Sequence, residues 1–154
     1  MSLRTRAARL AEPVWHRLGG PAQWSVVWLT QPHFLVAVCG VVRDDEGRVL
    51  LLRPRFWPPG SWGLPAGYVK HGETVVEALA REVQEETGLT IDNIEILRTV
   101  SGYRRRVEFV CTARLAGGTE RVDGGEVMGL AWFPPDALPE GLLGTHRGHI
   151  RACR

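Results

Sequence analysis

The decisive stretch runs from Gly67 to Leu89 and reads GYVKHGETVVEALAREVQEETGL. It opens on a turn between Gly67 and Gly72. Thr74 and Glu77 have the spacing of a capping box, so a helix starts at Thr74. Val76, Leu79, Ala80 and Val83 recur at helical intervals and make one apolar stripe. Gly88 stands where a helix ends in a left-handed residue. The stretch therefore reads as loop, helix, loop, with the helix over 75–87.

Glu82, Glu85 and Glu86 fall at i, i+3 and i+4 and share one face beside that stripe. Each close pair of like charges costs a few tenths of a kcal/mol, about 0.2–0.5. They also occupy the last turn, where the helix macrodipole disfavours anions. A divalent cation would relieve both faults, and hard oxygen donors suit Mg2+, with Mn2+ as the alternative. Arg81 has i,i+4 partners on both sides, Glu77 behind and Glu85 ahead.

A lone E-x-x-E-E is most often a solvated acidic face. Here the pattern is longer: G-x5-E-x7-R-E-V-x-E-E-x-G-L, filled by Gly67, Glu73, Arg81, Glu82, Val83, Glu85, Glu86, Gly88 and Leu89. It resembles the Nudix box of the Nudix hydrolases at every specified position. The resemblance implies an α/β fold, an α/β/α sandwich with a mixed β-sheet and the box as loop-helix-loop. It implies a metal site of Glu82, Glu85, Glu86 and the Gly67 carbonyl, with Glu85, Glu86 and Arg81 in the catalytic set. The reaction implied is metal-dependent hydrolysis of a diphosphate linkage in a nucleoside diphosphate derivative, such as a nucleotide sugar. Alternatives are a nucleoside triphosphate pyrophosphohydrolase and a ligand-sensing domain without catalysis. An intact set of three glutamates argues against the last. An isomerase of isoprenoid diphosphates would need an acid-base pair that typically includes a cysteine, whereas Cys39 and Cys111 sit in apolar strands and read as structural.

The general base is sought outside the box, because carboxylates committed to a cation accept protons poorly. Glu126 ends a glycine-rich loop and starts the last strand, so the sheet can aim it. A glutamate in the matching loop often serves Nudix hydrolases as base or as an extra ligand.

Outward from the box, the chain has 154 residues, the size of one domain with one core. Its 44% hydrophobic and 23% charged residues are ordinary for a soluble globule. A net charge of +2 gives no argument for a nucleic acid partner. Three scattered cysteines, without metal spacing, read as reduced thiols of a cytoplasmic protein. No apolar run reaches membrane-spanning length, and no secretion signal is legible.

Residues 1–33 read as an N-terminal arm: a basic amphipathic helix, then a short strand around Trp24–Leu29. A core-facing role, packing on the domain or building a homodimer, is favoured over contact with an anionic membrane. Residues 34–144 form the expected Nudix domain. Strands are expected over 34–42, 49–52, 91–100, 106–115 and 127–133, with a helix from Pro134.

Arg53 and Arg55, at the end of the second strand, are expected to hold substrate phosphates, for which a planar guanidinium fork is suited. Trp57 or Trp62 stacks on a base or lines a pocket, with packing beneath the loop favoured for Trp62. Tyr103 and Arg105, at a hairpin tip, are further substrate candidates; a solvated tip is the competing reading. The proline that marks ADP-ribose hydrolases beyond the box is absent, with Arg104 and Arg105 in its place. Residues 145–154 read as a tail whose His146 and His149 lie on the surface.

Overall fold

The computed structural model describes residues 3–122 and 124–153, and of residues 3–8, Leu10 and Tyr103 the backbone alone. The chain divides after Phe34 into two units. In the first, α1 spans Leu3–Arg17 and α2 spans Gly20–Thr30. The strand expected around Trp24–Leu29 is therefore helix. Gly19 at the N-cap and Pro21 in the first turn launch it. Ser25 and Thr30 then donate their hydroxyls back to the Pro21 and Val26 carbonyls, at 3.0 and 2.7 Å. Valines weigh against a helix only weakly when a helical start is set this firmly. Trp24, Trp28 and Leu29 of α2 are exposed. No described helix is long and apolar enough to cross a membrane.

The second unit is built on a mixed sheet. Its strands are β1 (Leu35–Arg43), β2 (Val49–Pro54), β3 (Ala66–Tyr68), β4 (Leu89–Tyr103), β5 (Arg106–Gly118) and β6 (Val127–Phe133). The order is β4-β5-β1-β2-β6, and β3 adds to β1 off that path. β1 runs parallel to β5 along its whole length, from Leu35↔Arg106 to Arg43↔Arg114, while every other pairing is antiparallel.

β1 is apolar on both faces because both are covered, as a central strand in a layered fold requires. Val38 and Val42 face one cluster with Leu50, Leu52, Ala78, Leu79 and Val83. Cys39 and Val41 face another, with Val49, Leu51, Leu64, Leu142 and Ile150. The box helix α3 (Val75–Thr87) supplies the first layer, and α4 (Gly144–Ala152) the second. Two helices thus sandwich the sheet. Full burial of each of these aliphatic side chains is worth about 1.5–3 kcal/mol.

α3 starts as expected. The Thr74 hydroxyl accepts from Glu77 N at 3.2 Å, and the Glu77 carboxylate accepts from Thr74 N at 2.8 Å. Gly88 ends the helix at φ 71°. The helix lies close on the sheet, because Gly40 presents no side chain: a Cβ there would sit 2.6 Å from Leu79 Cδ1.

Two expectations fail at the C-terminal side. Pro134–Leu138 is a single turn, closed by Ala137 N on the Pro134 carbonyl at 3.0 Å, and not a helix. The stretch read as a tail with surface histidines is α4. His146 and His149 are buried, and Ile150 is part of the core. The helix is docked through the loop before the box: Trp62 N donates to the Gly141 carbonyl at 2.9 Å and Leu143 N to the Trp62 carbonyl at 3.1 Å. Leu64 N donates to His146 Nδ1 at 2.9 Å.

Candidate active site

β3 is only three residues long, yet it sets the site. Ala37↔Tyr68, Val38↔Gly67 and Cys39↔Ala66 hold it on β1, extended by Gly40 N to the Pro65 carbonyl and Val69 N to the Val36 carbonyl. Gly67 is thereby brought over the last turns of α3. A methyl group on Gly67 would lie 2.1 Å from Glu82 Cδ and Oε1. Only glycine lets backbone and carboxyl approach so closely.

A cleft of about 480 Å3 opens there, lined by Gly67, Tyr68, Lys70, Arg81 and the carboxylates of Glu82, Glu85, Glu86 and Glu126, with Ala66 at its edge. Residues far apart in the chain are gathered: the box supplies most, and the start of β6 supplies Glu126.

Arg81 organises the acidic face. Its Nε and Nη2 donate to the two Glu73 oxygens at 2.7 and 3.1 Å. Nη1 donates to Glu82 Oε1 at 2.8 Å and Glu85 Oε2 at 3.0 Å, and Nη2 to the Tyr68 carbonyl at 3.1 Å. The backward partner is thus Glu73 and not Glu77, whose carboxylate is occupied by the cap. The Arg81 bonds, reinforced by the Lys70 amide, push the Glu73 carboxyl down to about 2. The Arg81 guanidinium is held charged beyond its ordinary range, first by Glu73. Lys70 Nζ lies 3.7 Å from Glu85.

The donor set suits a hard divalent cation: carboxylates, with no sulfur or imidazole among the lining residues. The Gly67 carbonyl expected to join them faces β1 instead, because Gly40 N on the Pro65 carbonyl and Val69 N on the Val36 carbonyl make Val38↔Gly67 a hydrogen-bonded pair of the antiparallel ladder. Among the described residues, no three acidic, histidine or cysteine groups stand ready around a common point. The reason is visible in the hydrogen bonds, since Glu82 and Glu85 are turned onto Arg81.

The other arginines have different partners. Arg55 donates from Nε and Nη2 to the Gly125 and Gly124 carbonyls, both at 2.8 Å, and its amide donates to the Glu126 carbonyl at 2.7 Å. It braces the loop that carries Glu126. Arg53 lies over the Trp62 ring, 5.8 Å from its centroid. Arg105 is exposed in the β4–β5 turn at φ 55°. None of the three lines the carboxylate cleft. The Tyr103 side chain lies outside the described residues.

A second pocket, of about 350 Å3, begins on the other side of Ala66. Trp57, Arg106, Glu108, His146 and His149 line it. Trp57 is the loop tryptophan that lines a pocket; Trp62 packs edge-on against Phe133, centroids 5.1 Å apart. Sequence reasoning gave Glu108, His146 and His149 no place in a pocket. Glu108 is a carboxylate inside an apolar strand, and His146 and His149 stand one helical turn apart; those were the available signals. Burial pushes His146 down to about 4, helped by His149 and Arg106. His149 is also lowered, by burial and then by Arg98.

With box, cleft and sheet in place, residues 33–153 match the model of the NUDIX domain, and the chain belongs to that family. It is similar to the human 8-oxo-dGDP phosphatase NUDT18, 43% identical over 109 residues, which cover 68% of this chain and 34% of the human protein. The chain therefore spans about a third of that relative's length. A MutT-like protein of Streptomyces ambofaciens is 34% identical over 110 residues, 71% of this chain and 70% of its own length. Among solved structures, a MutT NUDIX hydrolase from Burkholderia pseudomallei aligns with a TM-score of 0.69 at 29% identity, covering 80% of this chain and 100% of that one.

Proposed function

We propose that the protein hydrolyses a diphosphate linkage in a nucleoside diphosphate derivative. The observation that carries this reading is the gathering of Gly67, Glu82, Glu85, Glu86 and Glu126 on one cleft. Nudix hydrolases generally use divalent metal ions. Glu82, Glu85 and Glu86 are the groups that would hold Mg2+, or Mn2+ in its place. Bound there, the cation would neutralise phosphate oxygens and acidify a water.

The chain's own residues do the rest. Arg81 holds Glu82 and Glu85 in orientation through one guanidinium nitrogen and anchors itself on Glu73 and the Tyr68 carbonyl. Lys70, the sole lysine of the chain, adds positive charge at the rim for phosphate oxygens. Glu126 faces the cleft from a separate element and takes a proton from the attacking water. Arg55 fixes the loop behind it. Most of the rate would come from positioning and charge stabilisation.

The substrate class follows from the same cleft and from the relatives. The human relative is named for a nucleoside diphosphate. A nucleotide sugar is the other derivative that fits, and nucleoside triphosphates are the alternative class.

The test is a screen of phosphate and nucleoside monophosphate release over nucleoside diphosphates, triphosphates, nucleotide sugars and dinucleotides. It is run with Mg2+, with Mn2+ and with chelator. Metal-dependent release from a diphosphate derivative is expected, and Glu86→Gln abolishes it while the far-ultraviolet circular dichroism is unchanged. An active Glu86→Gln enzyme at ordinary Mg2+ ends this reading.

A further inference from the structure

The first unit of the chain carries features that the carboxylate cleft does not use. α2 has no charged residue from Gly20 to Thr30. α1 before it has Arg4, Arg6, Arg9 and Arg17 against a single acid, Glu12. On α2, Trp24 is 73% exposed, Trp28 64% and Leu29 74%. The two tryptophans stand at i and i+4 and so share a face. Trp28 meets the His33 ring, centroids 4.6 Å apart, and most of its indole is still open. The groove between the indoles is lined, among the described residues, by Trp24, Ser25, Trp28 and Leu29 of α2 alone. Single exposed apolar side chains are ordinary, whereas a contiguous apolar patch marks an interaction surface.

The polar side chains of α2 are turned onto backbone. Ser25 Oγ donates to the Pro21 carbonyl at 3.0 Å and Thr30 Oγ1 to the Val26 carbonyl at 2.7 Å. Gln23 Nε2 reaches back to the Trp15 carbonyl of α1 at 3.0 Å. Hydroxyls satisfied within the helix in this way need no water, which is how polar groups are carried into lipid. An 11-residue helix is about 16 Å long, roughly half the hydrocarbon thickness of a bilayer. It is too short to span and fits lying in the interface. Indoles suit that depth, with the ring body against acyl chains and the N–H among headgroups.

Charge decides between the possible occupants. Glu12 lies 3.9 Å from His16 of its own helix, and Arg9 and Arg17 are exposed. A second copy docked arm to arm would set the same arginines beside one another. An anionic surface offsets them instead, and each arginine near such a surface contributes about fivefold to partitioning. Arginine also forks onto phosphate oxygens, the groups that a lipid headgroup presents.

We propose that the N-terminal arm docks the protein on an anionic membrane surface, with α2 in the interface, Trp24, Trp28 and Leu29 inserted at the acyl boundary, and Arg9 and Arg17 against lipid phosphates. The docking is peripheral and reversible, and it is independent of which substrate the cleft hydrolyses.

The experiment sediments the full chain with vesicles of phosphatidylcholine alone and of phosphatidylcholine mixed with phosphatidylserine, at low and high salt. Wild type is compared with Trp24→Ser/Trp28→Ser and with Arg9→Gln/Arg17→Gln. Circular dichroism and thermal unfolding check that each variant is folded, and Leu29→Gln replaces the tryptophan variant if that one is insoluble. Light scattering gives the mass of each protein in free solution. Wild type is expected to bind the mixed vesicles tenfold or more tighter than phosphatidylcholine alone, and less tightly as salt rises. Each double variant should lose about tenfold. Absence of wild-type binding to either vesicle overturns the proposal, as does unchanged binding in both folded variants. Equal binding to the two vesicle types overturns the assignment of the surface as anionic. A wild-type dimer that Trp24→Ser/Trp28→Ser converts to monomer, without vesicle binding, overturns it in favour of a second copy.

Discussion

The α-carbon of Gly67 rests against the carboxyl group of Glu82, with room for no further atom between them: an added Cβ would stand 2.1 Å from Glu82 Cδ. Strand β3 and helix α3 meet at this point. The Gly67 backbone and the Glu82 carboxylate thereby line the same cleft.

Gly67→Ala should therefore act through Glu82. Contact at that distance forces the carboxyl to move or β3 to lift from β1. The expected cost is about 1–3 kcal/mol of stability, the scale of overpacking a filled site. Turnover should fall by far more than that loss of folded protein explains. Chemical denaturation and kcat on the same preparation check it, and wild-type turnover in Gly67→Ala would show that the contact is unimportant.

Glu126→Gln tests the base. The turnover rate should drop by about 10²–10⁴-fold, the usual scale for acid-base catalysis, with KM little changed. The acidic limb of the pH–rate profile should flatten. A loss below tenfold with that limb intact moves the role into the box, to Glu85.

The buried His146 gives stability a pH dependence of definite sign. Its folded value, about 4, lies below the ordinary 6.5. Between the two, the unfolded chain binds the extra proton. Stability is thus fully present above about pH 6.5 and lost as pH falls towards 4, by roughly 3 kcal/mol over the whole window. His149 shifts in the same direction. His146→Asn keeps an acceptor for the Leu64 amide and removes the titration. Urea unfolding at pH 7, 5.5 and 4.5 should show a shallower loss in the variant. Parallel slopes would assign the loss to other groups. The Glu73 contribution lies in a lower window, since its depressed value makes it fade between 4.5 and about 2.

Arg104 and Arg105 both have positive φ, 47° and 55°, in the tight β4–β5 turn. A left-handed backbone costs a branched-out side chain about 1–2 kcal/mol relative to glycine. Arg105→Gly should raise the melting temperature by a few degrees, on the order of 4 °C. KM should stay at the wild-type value, because Arg105 lines neither cavity. A raised KM would restore it as a phosphate contact.

Legibility followed locality. The box helix, its cap and its C-terminal glycine were readable because every determinant lies within a few residues. Strands β1, β2, β5 and β6 announced themselves through apolar runs. β3 did not: three residues, Ala66–Tyr68, become a strand only because β1 is beside them. α4 was missed for a related reason. Its histidines look like surface residues until the Leu64 amide and Arg98 are seen to occupy their ring nitrogens. The arginines near the box illustrate the limit at the site. Composition placed Arg53, Arg55 and Arg105 near phosphate, whereas carbonyls, an indole and a turn hold them.

Ala66 and Gly67 are neighbours in sequence but open onto different cavities, and the two cavities draw on the chain in opposite ways. The carboxylate cleft comes almost whole from one continuous segment. The other is assembled from a loop, a strand hairpin and a helix separated by dozens of positions. Changes in the loop at Trp57, in β5 or along α4 can thus reshape one cavity with the other's parts left in place. A library that varies those three segments and leaves 67–89 untouched would explore selectivity while reactivity is inherited unchanged.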